Sequence, residues 1–341
     1  MGCTRLHQGD SCVDVLLSVS ARADAVKRGR PNRRPRTGSS PSPNAWLRRF
    51  AMSAVVQGRS VRRISLPEGL AGLAALAAAI ASIAGFVPGL YRDRAVVIPQ
   101  THGYDVGNLI AVAVLAAGLI WSVRGSASGR LVVIGAIGCL VYSYVTYAFL
   151  IVLNPVTILY IAVLGLAAWS IVTGLLHFDG RPIEQGQDRP LLRRLTGGFM
   201  LALVLVFAGN WLRQMGTGII SGQLPADLAA NGWPMNPVWV LDLGLALPLI
   251  GLGWIRLLRR RPQGISIAVS VLVFMLLLSI TLMAMAVSMT IAGQAPDLMV
   301  IGLFGLIALV GSALAVPWLL GIKDRVGHST GSSTAELPEV A

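Results

Sequence analysis

Charge is scarce in this chain of 341 residues: only 13% are Asp, Glu, Lys or Arg, against 55% that are hydrophobic. Soluble domains carry about a quarter charged residues, so an ordinary soluble enzyme, a secreted domain and a mainly disordered chain are all excluded. Cysteine is nearly missing. Cys3 and Cys12 lie near the start and Cys139 in an apolar stretch, with no CxxC and no histidine beside them, which rules out a disulfide scaffold and a zinc site. The histidines are His7, His102, His177 and His328, and none sits at the centre of an apolar run. Haem ligation inside a bilayer and the histidine boxes of a membrane di-iron oxidase are thereby excluded. The first 50 residues hold no apolar core of signal-peptide length before a small-residue cleavage site, so the first apolar helix is expected to stay as an anchor. No nucleotide-binding loop is present, and no cofactor is implied.

What the chain does have is apolar length. Runs long enough to cross the roughly 30 Å hydrocarbon layer recur at about 69–90, 107–123, 131–153 and 155–177, then at 196–216, 237–257, 264–288 and 298–321. They are apolar on every face, whereas the strands of a membrane barrel alternate with period two. The fold class expected is an all-α transmembrane bundle of about eight spans, with 107–123 the shortest. Residues 1–66 hold Arg, Pro, Ser and Gly without periodicity and read as a disordered basic tail, of which 1–51 is read as an overextended start ahead of Met52. Residues 67–194 and 195–322 form two four-span units, followed by a short disordered tail at 323–341.

Lysine and arginine give the orientation. With the N-terminus in the cytoplasm, 25 of the 28 basic residues lie inside, leaving Arg92, Arg94 and Arg213 outside. Both termini are therefore expected on the cytoplasmic side of a plasma (inner) membrane. The lipid bilayer is the implied partner, with anionic headgroups beside Arg59, Arg62 and Arg63. Arg28-Gly29-Arg30-Pro31 looks like the core of an AT-hook, but a basic segment before an anchor ordinarily serves topology or lipid contact, so nucleic acid is not an expected partner.

A weak internal repeat accompanies the unit boundary. Each half has a long outer loop after its first span, at 91–106 and 217–236, and related residues mark its second span: Asp105-Val106-Gly107 and Asp242-Leu243-Gly244. Four spans per unit would give the halves one orientation about an axis along the membrane normal.

Ionisable groups inside spans are costly and are the default candidates for function. Asp242 lies about 9 Å below a helix start at Asn236-Pro237, taking 1.5 Å per residue. Asn210 and Arg213, three apart and so on one face, reach a similar depth from the neighbouring span. Two readings stand. Asp242 pairs with Arg213 and hydrogen-bonds Asn210, or Arg213 snorkels to the interface beside Trp211 and Asp242 is a packing residue. Tyr142, Ser143, Tyr144, Thr146 and Tyr147 cluster near the outer end of the third span. With Asp105 and Asp242 they either line an outward-opening polar cavity or form an interfacial aromatic belt. The candidate polar cluster is thus Asp242, Arg213, Asn210, Asp105, Tyr144 and Tyr147. Met275, Met283, Met285 and Met289 read as packing rather than soft metal ligands, since no cysteine or histidine joins them.

The run Tyr142-Ser143-Tyr144 to Asn154-Pro155, and Asn236-Pro237-Val238 through Leu241-Asp242-Leu243 to the arginine-rich turn at Gly264, resemble segments of bacterial polytopic membrane proteins of no established activity. The resemblance implies a shared multi-span layout over about 65–322 and carries no catalytic residue with it. Asp105 with Asp242 lacks the GxGD motif of intramembrane aspartyl proteases, and Ser221 lacks an intramembrane histidine, so enzymatic activity is not expected. Two functions remain: a small-solute or proton-coupled carrier with an outward polar cluster, or a non-transporting accessory, sensor or assembly protein. The latter would bind other membrane proteins through small-residue stripes such as Gly302, Gly305, Ala308 and Gly311. No span is plainly broken at mid-membrane, which counts against the carrier.

Overall fold

The computed structural model describes residues 64–176, 189–261 and 263–322. The basic tail with its Arg28–Pro31 motif, Met52 and Arg59 to Arg63, the connection around Arg181, and the tail after Ile322 lie outside the described residues. Every regular element among those described is helical. In chain order they are α1 (Leu66–Ala84), α2 (Val97–Val123), α3 (Ala127–Leu150), α4 (Thr157–Leu176), α5 (Pro190–Ser221), the short α6 (Ala226–Asn231), α7 (Pro237–Leu258), α8 (Gly264–Ile291) and α9 (Leu298–Gly321). All but α6 are long and apolar enough to span a bilayer, so the protein is a multi-pass membrane protein with eight spans among the described residues.

Local chemistry sets the helix starts. At α1, Pro67 occupies the first turn and Glu68 reaches back to accept from the Ser65 amide at 2.9 Å, satisfying a backbone donor that the helix leaves free. The other Glu68 oxygen accepts from Ser122 of α2 at 2.5 Å. Ser126 caps α3, and Asn236 caps α7 by accepting from the Val238 amide at 3.0 Å, with Pro237 in the first turn. Asp297 does the same for α9.

One boundary differs greatly from the expected span. The helix predicted at 107–123 begins instead at Val97 and runs 27 residues, so that only α5 with 32 and α8 with 28 are longer. Its first turns carry the buried polar residues Thr101, whose hydroxyl donates back to the Val97 carbonyl of the same helix, and Asp105, which accepts from Tyr147 of α3, so apolar length alone under-reports the helix.

Packing runs in chain order within two groups. In the first, α1 meets α2, α2 meets α3, α3 meets α4, and α4 closes back on α1; in the second, α5, α7, α8 and α9 keep the same sequence, with only a slight contact of α9 to α5. Alanines make the α1 seam, with Ala71, Ala74 and Ala78 fully buried. The groups join chiefly where α8 lies along α2 and α3. Glycine permits this: a Cβ at Gly103 would lie 2.2 Å from the Met285 Cα, and one at Gly107 would lie 2.6 Å from the Thr281 Cα. On α9, by contrast, Gly302, Gly305 and Gly311 have no neighbouring atom where a Cβ would stand. The close packing expected of that stripe is met within this chain by α2 against α8 instead.

Large apolar side chains cover the outer surface, including Ile158, Leu176, Ile220 and Leu320, as hydrocarbon rather than water would require. One end of the bundle, the long-loop face, carries the connections 85–96 and 222–236. The opposite end, the arginine face, carries Arg124, Arg259, Arg260 and Arg261.

Candidate functional site

α2 lies closely along α8, whereas α7 approaches α3 only loosely, and a cavity of about 420 Å³ lies among these helices. Its walls come from α2, α3, α5, α7, α8 and α9. Exposed or half-buried residues of the long-loop face, Asp227, Asn231, Trp233 and Asp297, form its rim. It descends as far as Phe274 and Ile250. Phe274 stands about 15 Å along α8 from the arginine face at 1.5 Å per residue, so the cavity reaches the middle of the bundle.

The deep polar group of this cavity is Asp242. Trp211 of α5 donates its Nε1–H to Asp242 Oδ2 at 2.7 Å, and Tyr142 of α3 donates its hydroxyl to Oδ1 at 3.1 Å. Three helices therefore converge on one carboxyl group that is 8% exposed. The backbone is irregular at the same place. Residues Asp242–Ala246 form a π turn in which the Leu247 amide bonds back to the Asp242 carbonyl. Pro248 stands where it favours such a turn, since a proline lacks the N–H that would bond the Gly244 carbonyl, and its ring crowds that carbonyl in a regular α-helix. Single π turns inside helices occur frequently at functional sites. α7 remains one continuous helix through this π turn, so no span is broken at mid-membrane, but its register shifts by one residue beginning at the residue that lines the cavity.

The six expected site residues fall in three places. Asp242 lines the cavity. Arg213 is exposed on α5 and donates to Asn210 at 3.3 Å, so this pair sits together but apart from Asp242, and neither residue lines the cavity. Trp211, between them in sequence, takes the position at Asp242 that one of the two readings gave to Arg213, and Arg213 is exposed as in the other. Asp105 is 0% exposed inside the first helix group, where Tyr91 donates to Oδ2 at 2.6 Å and Tyr147 to Oδ1 at 2.9 Å. Tyr144 stacks on Tyr147 with ring centroids 5.2 Å apart, and its hydroxyl donates to the Ala78 carbonyl at 3.2 Å. Among the described residues no group of His, Cys, Asp and Glu is placed to hold a metal ion.

A small side void of about 30 Å³ lies beside the main cavity, and neither Asp105 nor Asp242 lines it. Gln100, Tyr104, Thr146, Leu150 and Trp233 line both it and the main cavity, and Tyr147, the Asp105 donor, completes its wall. That volume is about what one water molecule needs. The rim is tied down as well. Arg94 donates to the carbonyls of Ala229 and Ala230 at 3.2 and 3.1 Å, and Gln100 donates to Asn231 at 3.2 Å, holding α6 across the outer end of the cavity.

Sequence reasoning grouped Tyr142 with Asp242 in one of its readings but missed Trp211 as an Asp242 partner, and the rim residues Asp227, Trp233 and Asp297. Of the residues missed, the tryptophan left a signal, standing beside Asn210 at the depth of Asp242. Compared with protein-family models, curated proteins and solved structures, the chain matches none.

Proposed function

We propose that the protein is a carrier for a small solute, which enters from the long-loop face and binds beside Asp242. The observation that carries this reading is the cavity of about 420 Å³ reaching mid-bundle with Asp242 at the π turn of α7. A volume in this range holds a drug-sized molecule. A local departure from regular α-helix beside a polar site is also a feature that transporter folds use, here in the outer third of α7.

The arginine face is cytoplasmic in this reading and the long-loop face is external, because basic connections are retained on the side of synthesis. The membrane is the plasma membrane. The chain divides at about residue 194 into two four-helix units of like orientation, supported by the shared packing order of α1–α4 and of α5 with α7–α9. Asp105 and Asp242 then occupy related positions. The site is occupied by protein in the first unit and open in the second.

The test needs no knowledge of the solute. With Cys3 and Cys12 replaced by Ser and buried Cys139 left in place, Ala246→Cys puts one reactive thiol in the cavity wall. A carrier exposes this thiol to a membrane-impermeant maleimide from either face of sealed vesicles. A protein that binds partners without moving solute exposes it from the long-loop face alone, and that result removes the carrier.

A further inference from the structure

We propose that the cavity selects a monovalent organic cation with an apolar body, of the quaternary ammonium or phosphonium kind. The inference deepens the carrier reading by naming its solute class, and it rests on that reading only for the transport step after binding.

Charge decides the sign of the ligand. Three carboxyl groups line the cavity, Asp227 and Asp297 at the rim and Asp242 at depth, and no Lys, Arg or His is among its described lining residues. Arg94, on the connection next to α6, does not line the cavity, and its guanidinium donates to the Ala229 and Ala230 carbonyls. A cleft lined by one sign of charge between low-dielectric walls concentrates the opposite ion. Past the rim an anion would meet the carboxyl group of Asp242 and no basic side chain.

The walls decide the body. Trp211, Trp233, Tyr104, Phe207, Phe274 and Phe304 supply aromatic surface, and ring faces attract a cation that has shed its water. Met275, Met283, Met285 and Met289 complete the lining with soft, unbranched side chains that adapt to irregular apolar shapes. A small metal cation would need several oxygen ligands in place of its hydration shell, and a mostly apolar wall with separated carboxyl groups does not supply them. A cation whose charge is buried under alkyl or aryl groups carries little hydration to lose. Both Asp242 oxygens already accept a hydrogen bond, so the carboxyl group is held in position before such an ion arrives.

Tetraphenylphosphonium and tetraphenylborate, nearly identical in shape and opposite in charge, are the probes, measured by equilibrium dialysis against the purified full chain in detergent. Saturable binding of the phosphonium at least about tenfold tighter than the borate is expected, as is a loss of about tenfold in Asp242→Asn with retention in Asp242→Glu. Ala246→Trp, which fills the cavity and leaves every carboxyl group in place, should abolish phosphonium binding even if Asp242→Asn does not fold. Equal binding of the two ions, or undiminished binding in Ala246→Trp, overturns the proposal. Equilibrium binding does not require movement across the membrane. Failure here with thiol labelling from both faces removes only the solute class, and cation binding with one-sided labelling removes only the carrier.

Discussion

Tyr142 and Tyr147 stand five residues apart on α3, and each holds a different carboxyl group: Tyr142 donates to Asp242 at 3.1 Å and Tyr147 to Asp105 at 2.9 Å. The two bonds differ in their surroundings. Asp105 is wholly enclosed, whereas Asp242 borders a cavity wide enough for solvent. Removing one partner of a buried hydrogen bond strands the other at a cost of about 1–3 kcal/mol, unless water replaces it. Tyr147→Phe should therefore lower thermal stability by that amount, a fall of several degrees in a scanning fluorescence melt. Tyr142→Phe should lower it by clearly less. Equal losses would mean that the cavity beside Asp242 is dry.

The seam between α2 and α8 makes a second contrast. A methyl group at Gly107 would strike the backbone and side chain of Thr281, and backbone cannot step aside as the end of a flexible side chain can. Overpacking of this kind costs about 1–3 kcal/mol. Gly107→Ala is expected to lower the melting temperature of the detergent-solubilised protein, while Gly305→Ala on α9, with open space before it, should leave it unchanged or slightly raised.

Why the spans could be read and the Asp242 partner could not is visible in α5. Eight helices follow from apolar length measured against the thickness of hydrocarbon, and the Asn236-Pro237 start follows from backbone donors that need a cap. Depth comes from counting residues, and it placed Asn210, Trp211 and Arg213 level with Asp242. Rotation about the helix axis is the missing coordinate. A soluble helix shows which face turns inward by its polar stripe, but α5 is apolar on nearly every face through its middle turns, so nothing in its pattern said that Trp211 rather than Arg213 points at α7. The start of α2 was hidden for a related reason. Thr101 and Asp105 read as loop until it is known that the Thr101 hydroxyl turns back to the Val97 carbonyl and that Tyr147 donates to Asp105.

Outside the spans, Asp93 offers a pH-dependent test. One of its oxygens accepts from the Val152 amide at 3.0 Å, and the other is buried without a partner among the described residues. Burial pushes its carboxyl group above the usual carboxylate range, only partly opposed by the Val152 bond. A raised folded-state value means that folding favours the protonated form. The stabilisation is complete below the unfolded-chain value of about 4 and is lost as the pH rises through the folded one. At pH 8 the ionised group is a burden, and Asp93→Asn, which keeps an acceptor for Val152, should raise the melting temperature by about 1–2 °C. At pH 4 the gain should disappear. A gain that persisted at low pH would assign it to some other cause.

Pro248 gives the sharpest test of the link between the π turn of α7 and the cavity. The π turn holds one residue more than a regular helical turn, so closing it would rotate the Asp242 end of α7 by about 100° relative to the half beyond it. Proline opposes that closure by its missing N–H and its ring, and alanine removes both obstacles. If the turn exists because of Pro248, Pro248→Ala should raise thermal stability and turn Asp242 away from Trp211 and Tyr142. In the Ala246→Cys background it should also slow maleimide labelling from the long-loop face several-fold. Unchanged labelling together with unchanged stability would show that packing of Asp242 against α3 and α5 holds the turn open by itself, and that the proline accompanies the turn rather than causing it.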